Sequence, residues 1–171
     1  MNTKLIFINI ARWLLLLFVQ IFLLRNIGFY NLSTPFVYAL FILILPFNLP
    51  NLALYLLAFF TGLTMDAFYD TMGVHISACV LMAFSRIIFI SISLNRDSID
   101  EPEPSLGNMG FKWFGLYALV CIFMHHLAVF FLEAFKLNEF SYTLGRVLIS
   151  TIFTFFVVLL VEFTFHNRKS A

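Results

Sequence analysis

A polytopic, all-α membrane protein of six transmembrane helices is the fold class this sequence predicts. Of its 171 residues, 62% are hydrophobic and only 11% charged, against about 25% charged residues in soluble domains. The mean hydropathy is +0.98. Apolar runs alternate with short polar or proline-bearing stretches, and the length suits roughly six spans of about 20 residues. We therefore expect one integral membrane domain over 1–171, with no soluble catalytic domain. A net charge of +1 gives no electrostatic case for nucleic acid; the bilayer is the expected surrounding.

The first span is expected over about 5–24, closed by Arg25-Asn26. It carries Arg12 and Gln20; Arg12 lies about two turns in, where it snorkels to the surface or meets a carboxylate. The N-terminal run is long and no small-residue cleavage site follows, so it reads as a retained span, not a removed signal peptide. Asn31-Leu-Ser-Thr-Pro35 has the chemistry of a helix start. Residues 36–47 form a short second span, about 12 residues or roughly 18 Å of helix against a core of about 30 Å. Pro46-Phe-Asn-Leu-Pro50 is a turn, and a short third span follows over 51–66. One kinked span over 36–66 would be about 45 Å long, so a hairpin of two short spans fits better.

Span four is expected over 74–94 with Arg86 in its second half. Span five, 111–132, holds His125-His126 and ends at Glu133. Span six, 141–165, carries Arg146 and Glu162, the latter one turn before His166 and read with it as a solvated interfacial pair. Between spans four and five, 95–110 is acidic and proline-spaced, with the composition of a mobile loop.

Positive residues decide orientation. Six spans with the N-terminus inside place Lys4, Arg96, Lys112, Arg168 and Lys169 in the cytoplasm, and Arg25 and Lys136 outside. Five spans with the opposite start give the same tally, so charge leaves the span number open and length favours six. Both arrangements put the 95–110 loop and the C-terminal tail in the cytoplasm. Six spans put both termini there and Asp66 and Asp70 near the outer face.

No residue pattern here carries enzyme chemistry. Glu133 sits about 10 Å along the helix from His126, too far to share one metal ion without other helices. There is no His-Glu-x-x-His, nucleophile elbow or phosphate loop, so no catalytic residue, metal or cofactor is expected. Cys79 and Cys121 read as small buried hydrophobes. An aspartyl dyad needs two carboxylates facing each other across a cleft, whereas Asp66 and Asp70 follow each other on one helix. Capping the next helix, pairing with Arg25 or Arg146, or touching a partner remain as roles for them. Gly62, one turn before Asp66, admits another helix at close range. Gly62, Asp66, Asp70 and Gly73 are therefore the expected partner-binding residues.

Pro35 opening an apolar hairpin broken at Pro46, then Phe60-Thr-Gly62-x-x-x-Asp66 and Met72-Gly73 opening the next span, resembles the MreD family of bacterial rod-shape-determining membrane proteins. Length and span plan match along nearly the whole chain; the specific part covers Pro35 to about Arg86. The resemblance implies a non-enzymatic scaffold in the bacterial inner membrane, part of the cell-elongation machinery that builds sidewall peptidoglycan. Its implied partners are an MreC-like membrane protein, the MreB filament, RodA and a transpeptidase. It also implies a fold similar to the vitamin-binding subunits of energy-coupling-factor transporters. The alternative is thus a small-molecule capture subunit of a membrane transporter. Such subunits dock through small residues on span one, and here Ile10 to Ile21 is bulky except for Ala11.

Overall fold

The computed structural model describes residues 3–25, 35–94, 102–134 and 140–164. They form six α-helices and no strand among the described residues. The helices are α1 (Thr3–Phe18), α2 (Ala39–Leu43), α3 (Asn51–Tyr69), α4 (Val74–Ser93), α5 (Leu106–Ala134) and α6 (Phe140–Thr164), and α1 continues as a π-helical stretch, Val19–Leu24. Five stretches are long and apolar enough to cross a membrane: Ile6–Leu24, Asn51–Tyr69, Val74–Ser93, Leu106–Ala134 and Phe140–Thr164. This is the architecture of an α-helical membrane protein.

The second span, expected over 36–47, is corrected. Its helix is the five-residue α2 alone, and every residue from 35 to 46 is buried. Twelve residues of continuous helix are too few to cross the lipid, and partly extended backbone survives at that depth only inside a shell of protein. The third span is corrected in the other direction. α3 runs on to Tyr69, so its 19 residues reach about 28 Å and cross unaided. Asp66 therefore lies inside the helix, not at its end.

Two sets of contacts mark the ends of the bundle. At one, Arg25 lies 3.7 Å from Asp70 and Gln20 reaches both Tyr69 and Pro35. At the other, Arg12 forms a fork with Glu103 at 2.7 and 3.2 Å, Phe47 N–H donates to Pro102 O, and Leu106 N–H donates to Glu162 at 2.9 Å. The buried segment thus runs through the interior from the Asp70 end to the Glu103 end. The mobile loop expected over 95–110 is corrected in its described part. Residues 102–105 are tied to α1 and to Phe47, and α5 begins at Leu106, its path broken at Gly110 with φ 76°. Residues 95–101 lie outside the described residues.

Candidate functional site

Backbone groups cannot be left unpaired where water is absent; each one costs several kcal/mol in hydrocarbon. A buried segment with only five helical residues therefore needs partners from side chains around it. Gln20, Thr154, Arg86 and Tyr117 have that task.

At the Asp70 end, the Gln20 amide holds both sides of the chain. Its Nε2 donates to Pro35 O at 3.0 Å, and its Oε1 accepts the Val37 N–H at 2.8 Å. The Phe36 N–H donates to Thr154 Oγ1 at 3.1 Å, and Thr154 lies 3.1 Å from His126 Nε2. His126 Nδ1 is 2.8 Å from the Ile122 carbonyl, which only accepts, so Nδ1 carries the proton and Nε2 accepts from Thr154. The Tyr38 hydroxyl sits between His75 Nδ1 at 2.9 Å and His125 Nε2 at 2.8 Å. With one proton, it donates to one imidazole and accepts from the other. The Phe36 ring fills the space among His75, His125 and His126, with centroids 5.4 to 5.7 Å away.

Arg86 closes the other end of the segment. Its Nε donates to the Tyr117 hydroxyl at 3.1 Å, and its guanidinium reaches the Leu45 carbonyl and, at 3.4 Å, that of Pro46. Tyr117 passes its own proton to Leu43 O at 2.8 Å. The buried guanidinium thus satisfies carbonyls just past the C-cap of α2, on the side where the helix end is negative. Sequence reasoning passed over Tyr38, Tyr117 and Thr154. The signal that bears on them is the pair of prolines, Pro35 and Pro46, bracketing a stretch too short to span.

The sequence-predicted site residues separate into two kinds. Gly62 is buried against α4: a Cβ there would lie 2.5 Å from Ile76 Cα and 2.6 Å from His75 O. The close approach expected of a partner's helix is made by the chain's own α4. Asp66, 5% exposed, caps α4. It accepts the N–H groups of His75 and Ile76 at 2.9 and 3.0 Å and the hydroxyl of Thr71, satisfying donors a helix start leaves open. Asp70 and Gly73 lie on the surface corner between the two helices, both with positive φ (55° and 80°). Asp70 is exposed and Met72 fully so, with Phe68 also exposed. Arg25 reaches Asp70 and stands over the Tyr69 ring.

His125 Nε2 and both nitrogens of His126 are engaged within the bundle, and Glu133 pairs with Arg146 at 3.3 Å rather than with a histidine. Among the described residues, no three of His, Cys, Asp and Glu are grouped to hold a metal ion. Glu162, expected to pair with His166, accepts from Leu106 N–H; His166 lies outside the described residues. No family model matches the chain, and no curated protein or solved structure is detectably similar to it.

Proposed function

We propose that this chain is a non-enzymatic scaffold of the bacterial cell-elongation machinery, in the inner membrane with both termini in the cytoplasm, holding the membrane helix of an MreC-like partner. The observation that carries this is where the costly polar groups go. Gln20, Arg86, His75, His125, His126 and Thr154 are hydrogen-bonded within the bundle and hold the 35–46 segment in place. A stiff body with an exposed corner, an Arg25–Asp70 ion pair rimmed by apolar side chains, suits a protein that positions another helix. The sequence resemblance through Gly62, Asp66 and Gly73 supports the same reading.

The contact surface in this proposal is the α3–α4 corner: Asp70 and Gly73 with Phe68 and Met72. Gly62 and Asp66 build the corner from beneath. Met72→Glu should reduce recovery of the partner from native membranes at least five-fold while leaving the thermal midpoint unchanged, since Met72 is fully exposed. Full recovery would count against the corner.

A second reading, small-molecule capture, has one observation in its favour. Buried His125 Nδ1, Thr151 Oγ1 and Arg146 Nε on α5 and α6 have no hydrogen-bond partner among the described residues. A vitamin at 100 times its dissociation constant would stabilise the purified protein by about 2.7 kcal/mol, which a thermal-shift panel would detect.

A further inference from the structure

An apolar groove of about 540 Å³ lies between α4 and α5. Leu81, Phe84, Ile88 and Ile92 line it from α4, and Leu116 and Val120 from α5. Its depth says what fits. From Leu81 to Ser93, α4 advances about 18 Å, close to half of a hydrocarbon core of about 30 Å. A partner's membrane helix needs the full thickness, whereas an acyl chain needs one leaflet.

The mouth of the groove is polar at Ser93, and a lysine stands one turn beyond its α5 lining. Trp113 Nε1–H donates to Ser93 Oγ at 3.2 Å, and that hydroxyl keeps its own proton to donate. Trp113 packs 6.4 Å from Phe47, the residue whose N–H meets Pro102 O, so the mouth is at the Glu103 end. Lys112 is exposed and sits one turn before Leu116 and two before Val120, on the face that lines the groove. Side chains on a helix lean toward its N-terminus, and a lysine stem there delivers its ammonium to headgroup level. Among the described residues no carboxylate pairs with Lys112.

We propose that this groove binds an anionic phospholipid of the phosphatidylglycerol type. One acyl chain lies between α4 and α5, the phosphate meets the Lys112 ammonium, and the Ser93 hydroxyl donates to the headgroup. The site is independent of the scaffold function.

The chain has two tryptophans, so Trp13→Phe leaves Trp113 as the sole reporter at the mouth. In this background the protein is reconstituted in phosphatidylcholine bilayers doped with brominated phosphatidylglycerol or brominated phosphatidylcholine, and quenching of Trp113 is read. The brominated glycerol lipid should associate about five-fold more strongly, the effect of one lysine near a headgroup. Lys112→Gln should bring the ratio to about one. Val120→Phe, or Leu116→Phe on the groove's lip if the first variant fails to fold, should lower quenching by both lipids. A ratio of one in the reporter protein overturns the proposal. So does a ratio indifferent to Lys112→Gln, quenching indifferent to the groove-filling variants, or a co-purifying protein that shields Trp113 from both lipids.

Discussion

Replacing Gly62 by alanine tests the packing on which the α3–α4 pair depends. The new Cβ would meet backbone atoms: Ile76 Cα at 2.5 Å, His75 O at 2.6 Å and Ile76 N at 2.7 Å. Ordinary contact begins at 3.4 Å, so the start of α4 must retreat by about 0.9 Å. No rotamer change relieves it, because backbone atoms have none. Overpacking of this kind costs about 1–3 kcal/mol. The same retreat pulls the His75 and Ile76 N–H groups away from Asp66, where they now sit at 2.9 and 3.0 Å. Losing two bonds to a carboxylate at about 1.5 kcal/mol each adds about 3 kcal/mol. The expected loss is therefore about 4–6 kcal/mol, a large part of a stability that is normally about 5–15 kcal/mol. Equilibrium unfolding in mixed micelles with SDS, followed by tryptophan fluorescence, reads it directly. Gly73→Ala is the control: it has φ 80° but open space around the Cβ, so it costs only the strain of a left-handed residue, about 1–2 kcal/mol. Equal midpoints for Gly62→Ala and wild type would refute the packing argument. A stable Gly62→Ala protein that has lost its partner would return Gly62 to the docking surface.

Two further substitutions probe the ends of the buried segment. Gln20→Leu keeps the volume of the side chain but leaves Pro35 O and the Val37 N–H without partners. At about 1–3 kcal/mol for each buried group, the protein should lose about 3 kcal/mol, and the 36–45 amides should exchange faster in hydrogen–deuterium measurements. Arg86→Lys keeps the charge but cannot reach Tyr117 and the two carbonyls together, since a point-like ammonium lacks the guanidinium fork. A loss of about 2 kcal/mol is expected in the same assay, and an unchanged midpoint would refute the clasp.

The bilayer character and the long helices are legible in the apolar runs. Hydropathy reports which residues avoid water, and that property places α1, α3, α4, α5 and α6 to within a few residues. What stayed hidden depended on partners distant in sequence. Residues 36–47 look as apolar as a lipid-facing span, because burial in protein and burial in lipid select the same side chains. The hydrogen bonds to Gln20, Thr154, Arg86 and Tyr117 distinguish them. The sequence offers Arg12 either the surface or a carboxylate, and Glu103 is that carboxylate. Gly62 was recognised as a point of close approach, but one sequence cannot say whether the approaching helix belongs to the same chain.

The placement of the 35–46 stretch also bears on how the protein is made. It leaves the ribosome early, between α1 and α3, with Gln20 already made, yet the other groups that quiet its backbone sit on α4, α5 and α6. Until the sixth helix arrives with Thr154, the Phe36 amide has nowhere dry to rest. Biogenesis must then keep this stretch at the water interface and thread it inward last, so that a chain truncated before α6 would be a substrate for membrane proteases.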